Sequence, residues 1–177
     1  MVGRPKPKKL AAEELWTYAL RVLSQRAYSA GELRSKLARR ALSPDDLSQA
    51  LAKIQEYGFS DDRRFSENFA SARLQNEGFG RFRVLRDLRS KQVPPEVAEQ
   101  AVNKTFDNID EKELSAQFLE RKYRGKDLRV FFQEEKNVAN AYRRLRLAGF
   151  SSSASISVIR RYKADCPDLA EDEEDAG

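Results

Sequence analysis

Residues 37–54 read LARRALSPDDLSQALAKI, and the apolar positions of this stretch recur twice further along the chain. The pattern returns 51 places later in residues 88–105, LRSKQVPPEVAEQAVNKT, and 57 places after that in residues 145–162, LRLAGFSSSASISVIRRY. The matched positions are Leu37, Leu42, Ala50, Leu51 and Ile54, then Leu88, Val93, Ala101, Val102 and Thr105, then Leu145, Phe150, Val158, Ile159 and Tyr162. Repeated units of this kind bury their apolar faces against one another and expose a continuous surface, which favours a binding module over a catalyst.

Helical spacing of apolar residues dominates the rest of the chain, and no segment alternates convincingly with period two. The predicted fold is therefore all-α, with three tandem three-helix, helix-turn-helix-like repeats that form an elongated, curved array. The predicted segments are a flexible basic tail over residues 1–9, repeats over residues 10–59, 60–107 and 108–164, and a disordered acidic tail over residues 165–177.

Several helix ends are marked by capping residues. Ser29 is expected to cap the second helix, with Glu32 as the partner in a capping box. Ser43-Pro44-Asp45-Asp46 is expected to open the third helix, and Gly58 to end it. The eighth helix is predicted over residues 135–148 and the ninth from Ser151 to about Tyr162.

Other positions allow two interpretations. Val97 is expected to be the core anchor of the sixth helix, whereas strict periodicity points to Ala98, which would rotate the helix or start it one residue early. Phe131 and Phe132 either extend a helix or fill a gap.

Aromatic and acidic side chains raise two further questions. Trp16, Tyr18 and Tyr28 suit a helical core better than base stacking. Asp61, Asp62 and Glu67 suit helix capping better than metal binding.

Composition excludes most enzyme chemistry. The chain has no histidine, and Cys166 is its only cysteine, so neither catalytic triads nor ordinary zinc sites are expected, and we predict no cofactor and no enzymatic activity. No run of about 20 apolar residues is present, and the N-terminal residues MVGRPKPKKL lack the apolar stretch of a signal peptide. A cytoplasmic protein without a membrane partner is expected.

Positive charge is concentrated near the C-terminal end of the folded region. Residues 10–113 carry 17 basic and 17 acidic side chains, whereas residues 114–164 carry 12 basic and 4 acidic ones. Two predicted helices of that region hold basic clusters that would lie near one another: Arg143, Arg144 and Arg146, and Arg160, Arg161 and Lys163. Such a patch would attract nucleic acid by releasing counterions from phosphates.

A second basic stripe lies on the fifth predicted helix and comprises Arg81, Arg83, Arg86, Arg89 and Lys91. Ion pairs with Glu96 and Glu99 on the neighbouring helix explain it about as well as contact with a ligand does.

The order and spacing of several motifs resemble the RecX family of RecA regulators over about residues 15–162. The matching residues are Arg26-x-Tyr28-Ser29-x-x-Glu32-Leu33, Gly58-Phe59-Ser60-Asp61-Asp62-x-x-Phe65, Asn68, Arg73, Gly78-x-Gly80, Leu88-x-x-Lys91-x-Val93 and Arg146-x-x-Gly149-Phe150-Ser151. The resemblance implies a non-enzymatic protein that lies in the groove of the RecA–DNA filament. It also implies limits on filament growth and on the ATPase, strand-exchange and co-protease activities of RecA.

The chain departs from that family pattern at Ser153 and Ser155, where acidic or apolar residues are usual, and in its acidic tail. We expect a monomer that binds the RecA filament and its single-stranded DNA without sequence preference. The alternative is a transcription regulator whose helix-turn-helix units read the major groove of duplex DNA, which predicts a distinct recognition helix and usually a dimer.

Overall fold

The computed structural model describes residues 8–163, and within them the chain is built from helices. The all-α prediction is therefore confirmed. The helices are α1 (Ala12–Leu23), α2 (Ala30–Ala38), α3 (Pro44–Glu56), α4 (Asp62–Ala72), α5 (Arg81–Ser90), α6 (Pro95–Phe106), α7 (Glu111–Lys122), α8 (Leu128–Phe131), α9 (Glu135–Ala148) and α10 (Ser152–Tyr162), with a π-helix over Arg73–Glu77. No described helix combines the length and the apolarity that crossing a bilayer requires.

The chain divides into two compact units. The first comprises residues up to Asn68 together with Leu88–Ala101, and the second comprises Phe69–Asp87 together with Val102 onward. These divisions fall within α4, α5 and α6. The predicted repeat boundaries fall instead in the α3–α4 and α6–α7 connections, and they remain a prediction.

The core of the first unit lies between α1, α2 and α3. Leu15, Leu33, Leu37 and Ile54 are buried there, and Trp16, Tyr18 and Tyr28 pack partly buried against the same cluster. The predicted core role of these three aromatic residues is therefore confirmed, although cationic side chains lie over their rings.

Serine and aspartate side chains fix the helix ends of this unit. The Ser29 hydroxyl accepts a hydrogen bond from the Glu32 backbone N–H, and Ser43 does the same for Asp46 at the start of α3. The capping-box prediction is wrong for the Glu32 carboxylate, because Arg26 and Lys91 hold it instead. Asp62 accepts a hydrogen bond from the Ala30 N–H, so an acid of the second predicted repeat caps α2.

One predicted core position of the first repeat is wrong. Leu42 is 65% exposed, although its counterparts Val93 and Phe150 are buried. The backbone at Leu10 forms an isolated parallel bridge with Ala41 and accepts a hydrogen bond from the Leu42 N–H. Because side chains alternate across such an extended pairing, Ala41 points inward and Leu42 points to solvent.

The core of the second unit lies between α7, α9 and α10, with Phe118 edge-on to Phe150 at a centroid distance of 5.6 Å. Phe132 is fully buried in it, whereas the preceding residues form the short helix α8. The spacing to the third repeat, 57 residues, exceeds the earlier spacing of 51 by six. In this longer segment Phe131 ends a helical turn and Phe132 fills the core, so both interpretations apply. The nine predicted helices did not include α8 or the π-helix.

Strict periodicity locates the buried face of α6. Ala98 is fully buried and Val97 is only partly so. On α4, Ala72 is exposed, whereas Ser66 and Ala70 are buried.

The N-terminus of α5 meets the C-terminus of α9 in the second unit. The Gly80 N–H donates to the Ala148 carbonyl at 2.9 Å, and the Phe82 N–H donates to the Gly149 carbonyl at 3.2 Å. The backbones approach so closely that a Cβ on Gly80 would overlap the Gly149 carbonyl, and a Cβ on Gly149 would overlap Arg83.

The first unit contains an equivalent contact. The Ser29 hydroxyl at the start of α2 donates to the Lys91 carbonyl just after α5, and a Cβ on Gly31 would overlap the Gln92 carbonyl. Ser29 precedes Gly80 by 51 places and Lys91 precedes Ala148 by 57, which are the two spacings of the sequence repeat. We call these two contacts the helix-end joints.

We predict that Gly149→Ala lowers the free energy of unfolding by roughly 3 kcal/mol, because left-handed backbone and an overlapping Cβ both act there. Gly149 has φ +91°. Gly125→Ala is the matched control: its φ is +82°, but nothing lies within 4 Å of the added Cβ, so we expect a loss of only about 1 kcal/mol. Urea unfolding followed by circular dichroism measures both, and equal losses would contradict the close approach.

Candidate nucleic-acid interface

Basic side chains of α5 bind the polypeptide chain near the helix-end joint of the second unit. Arg83 and Arg86 both donate to the Leu147 carbonyl, at 3.3 and 3.2 Å, and Arg83 also pairs with Asp87 at 3.1 Å. Arg81 donates to the Asn103 side chain. Their predicted role in binding a ligand remains a prediction, but most of these groups already have partners within the chain.

The remaining basic side chains of the α5 stripe lie in the first unit. Lys91 pairs with Glu32 at 3.0 Å, and Arg89 pairs with Glu99 at 3.4 Å between exposed side chains. Burial favours a higher pKa for Glu32, but the hydrogen bonds from Arg26 and Lys91 outweigh it and leave the pKa below its ordinary value. The Arg89–Glu99 pair agrees with the predicted ion pairing between this stripe and the neighbouring helix α6. Lys91 pairs instead with Glu32 of α2.

The three arginines predicted on α9 differ in their surroundings. Arg146 is partly buried and donates to the Phe150 carbonyl at 2.9 Å, where the chain leaves α9. Arg143 is exposed and donates to the Asn140 side chain at 2.8 Å, and Arg144 is exposed with its guanidinium 5.6 Å from the Tyr123 ring centroid. Arg143 and Arg144 therefore face solvent, and Arg146 lies against its own helix end.

The basic residues at the end of α10 lie near different parts of α7. Arg161 pairs with Glu113 in the first turn of α7 at 3.2 Å, while Arg160 is exposed and Lys163 is partly buried. Burial, and then a hydrogen bond from its hydroxyl to Glu120, raises the pKa of Tyr162 to about 12.

The two predicted basic clusters of the third repeat therefore contact opposite ends of α7. Arg161 reaches Glu113, whereas Arg144 lies over Tyr123, ten residues later. At 1.5 Å of rise per residue these contact points are about 15 Å apart along the helix axis. The two clusters thus provide separate groups of cations along one helix.

Arg143 and Arg144 line a groove of about 460 Å³ in the second unit, which we call the α9 groove. Its other lining side chains are the cation Lys126, the rings of Tyr123 and Phe131, the amides of Asn137 and Asn140, and Leu147. None of these described residues is acidic, so the groove carries three positive charges and no compensating carboxylate in its lining. A polyanion is the class of ligand that such a surface attracts.

Sequence reasoning missed Tyr123, Lys126 and Phe131 as parts of this groove. Tyr123 directly follows α7, Lys126 lies in the turn after it and Phe131 ends α8, so only the folded chain brings them beside α9. The one available signal is that four of the six residues from 128 to 133 are apolar.

The acidic cluster near the start of α4 is accounted for by helix ends and ion pairing. Asp61 accepts a hydrogen bond from the Arg64 N–H, Asp62 caps α2, and Glu67 pairs with Arg63. Across residues 8–163 no group of three potential metal-ligating side chains comes together. Residues 1–7 of the predicted basic tail and all of the predicted acidic tail, residues 165–177 with Cys166, lie outside the described residues. Lys8 and Lys9, the last two residues of the predicted basic tail, contact Glu14 and the Arg39 carbonyl.

Two family models match the chain in tandem. The model of the first three-helix domain of RecX matches residues 16–53, and that of the second three-helix domain matches residues 61–102.

Named relatives match over a larger part of the chain. A regulatory protein RecX of Trichlorobacter lovleyi is 33% identical over 109 residues, which cover 62% of this chain and 71% of the relative. One from Mannheimia succiniciproducens is 33% identical over 136 residues, which cover 76% and 85%. The crystal structure of RecX from Lactobacillus salivarius has the same fold, with a TM-score of 0.64 at 16% identity over 85% of this chain and 96% of that one.

We predict that Glu32→Gln lowers the free energy of unfolding by about 1–2 kcal/mol at neutral pH, because it removes the charge that Arg26 and Lys91 hold. A carboxylate whose folded pKa is depressed stabilises the fold above its ordinary pKa of 4.5, and this stabilisation is lost as the pH falls through the folded value. The difference between variant and parent in urea unfolding should therefore shrink well below pH 4.5.

Glu99→Gln is the control for this experiment, because its partner Arg89 is exposed and a surface pair contributes at most about 1 kcal/mol. A Glu32→Gln effect that stays constant with pH would contradict the assignment.

Proposed function

The chain belongs to the RecX family of regulatory proteins, and from this premise we propose that it binds the RecA–DNA filament and regulates RecA. The proposed effect is inhibition: slower filament growth and lower ATPase, strand-exchange and co-protease activities. The proposed regulator acts by binding and not by catalysis, as a monomer in the cytoplasm.

The observation that carries the nucleic-acid part of this proposal is the α9 groove. Three cations line it without an acidic neighbour in the lining, within the segment where basic residues outnumber acidic ones 12 to 4. Each cation that neutralises a phosphate releases a counterion, so binding would be strong at low salt and insensitive to base sequence. Both properties suit a protein that meets DNA of any sequence inside a filament.

The repeated sequence supports a polymeric partner. A filament presents the same surface at regular intervals, and similar modules joined in one chain raise one another's effective concentration at such a surface. The basic residues of α5 and α10 would provide further contacts in this proposal: Arg81, Arg83, Arg86, Lys91, Arg160, Arg161 and Lys163.

We predict that reversing both exposed arginines of the α9 groove, Arg143→Glu with Arg144→Glu, raises the concentration needed for half-inhibition of RecA about tenfold. Hydrolysis of ATP by RecA on single-stranded DNA is the measurement. Arg146 is left unchanged because its guanidinium binds the Phe150 carbonyl, so its reversal would also disturb the fold.

The control variant combines Arg64→Glu with Lys112→Glu, which produces the same change in net charge. Both residues are exposed and lie in the first turns of α4 and α7, where an acidic side chain interacts favourably with the helix dipole. We expect this variant to inhibit like the parent chain. Equal weakening of inhibition by both variants would mean that net charge, and not the α9 groove, determines inhibition. If the unmodified chain has no effect on RecA, the proposed function is refuted.

The alternative of a transcription regulator gives a different result. It predicts a footprint on duplex DNA at one defined sequence in the absence of RecA.

A further inference from the structure

We propose that the α9 groove binds single-stranded nucleic acid directly, with an unpaired base stacked on the Arg144 guanidinium and the strand's phosphates held by Arg143 and Lys126. This inference deepens the proposed function, because it assigns a direct contact with the strand that does not require RecA. It rests on the arrangement of the side chains in the groove as well as on their charge.

Two rings and two cations form a continuous ladder along the groove. The Tyr123 and Phe131 ring centroids are 4.9 Å apart, the Arg144 guanidinium carbon lies 5.6 Å from the Tyr123 centroid, and the Lys126 ammonium lies 4.1 Å from the Phe131 centroid. Phe132 lies 6.1 Å from Tyr123 on the core side and is fully buried. The core thus supports the rings from behind, while Arg144 and Lys126 form the solvent-facing layer.

The Arg144 side chain is suited to stacking in a way that a simple point charge is not. Its guanidinium is planar, and proteins use such planes, like aromatic rings, as platforms for unpaired bases. The residue is exposed and its guanidinium carbon lies 5.6 Å from the Tyr123 ring centroid, so the side of the guanidinium away from Tyr123 is open to solvent. The outer face is therefore the stacking position for a base.

Arg143 and Lys126 supply the phosphate contacts on either side of this position. Arg143 uses two of its five N–H donors on Asn140 and the Ala139 carbonyl, which orients the guanidinium and leaves the remaining donors for an anion. No acidic side chain belongs to the described lining, and the nearby Glu134 carboxylate accepts a hydrogen bond from the Asn137 side chain at 3.1 Å.

The combination of charge and stacking selects one class of partner. Duplex DNA offers phosphates but keeps its bases stacked within the helix, and an acidic protein surface offers charge without bases. An unpaired strand satisfies both parts of the groove. Its affinity should therefore exceed that of a duplex by more than the difference in charge explains.

The test is fluorescence anisotropy of a labelled short oligothymidylate, and of a hairpin duplex of similar charge, with the full-length protein and no RecA. We expect the single strand to bind at least about fivefold more tightly than the duplex. Arg144→Lys retains the charge but not the plane, so it should weaken binding of the single strand about fivefold and leave binding of the duplex unchanged.

Two further variants test whether the ring below Arg144 matters more than an aromatic ring elsewhere, and a stability measurement tests whether Arg144→Lys alters the fold. Tyr123→Leu removes the ring below Arg144 and should reproduce the loss, whereas Tyr57→Leu replaces an exposed ring of the first unit and should have no effect. The circular dichroism spectrum and urea midpoint of Arg144→Lys should match those of the parent, because this exposed side chain lies outside the buried core.

Equal affinity for strand and duplex, or full binding by Arg144→Lys, would overturn the inference. Complete displacement of the oligonucleotide by polyglutamate at equal charge concentration would also overturn it, since that result assigns the groove to acidic polymers in general. These outcomes are distinct from failure of the proposed function: a chain that binds the single strand but leaves the ATPase of RecA unchanged refutes RecA regulation and supports the groove assignment.

Discussion

The helix-end joint is the contact on which the architecture depends. A helix N-terminus has N–H groups without intrahelical acceptors, and a C-terminus has carbonyls without intrahelical donors, so bringing the two together satisfies both. In the second unit Gly80 and Phe82 donate to the carbonyls of Ala148 and Gly149. In the first unit the Ser29 hydroxyl links the two ends, because it donates to the carbonyl of Lys91 and accepts from the Glu32 N–H of α2. Small residues permit the approach, which is why glycines stand at Gly31, Gly80 and Gly149.

This constraint divides the basic residues into two groups. Arg83, Arg86 and Arg146 donate to carbonyls at or near the end of α9, where cations also interact favourably with the negative end of the helix dipole. Arg143 and Arg144 point away from that end into the α9 groove. A count of positive charges along the sequence does not separate the two groups, because Arg146 lies only two or three positions from Arg144 and Arg143 and has a different role.

The periodicity of apolar residues in the sequence predicts much of the fold. It predicts α9 with the observed bounds, the stop at Gly58 and the buried position of Ala98, because each depends on residues within a few turns of one another. It fails at Leu42, whose orientation is set by pairing with Leu10 about thirty residues earlier. It also fails to assemble the α9 groove, whose rings and cations come from α7, α8, α9 and the turn between α7 and α8. Such distant pairings leave no periodic signal.

The backbone N–H of Leu10 satisfies a carbonyl at a helix end, as the donors in the helix-end joints do. Its N–H donates to the Arg40 carbonyl at 2.7 Å, and Arg40 precedes Lys91 by the 51 residues of the repeat. In the joints, the equivalent carbonyls of Lys91 and Ala148 receive their donors from the start of another repeat's second helix. In the first repeat the extended backbone N–H of Leu10 occupies that place. A donor is needed there because the carbonyls at a helix C-terminus have no intrahelical partner. The extended pairing that satisfies the Arg40 carbonyl also turns Leu42 outward, so the exposed leucine follows from this backbone contact.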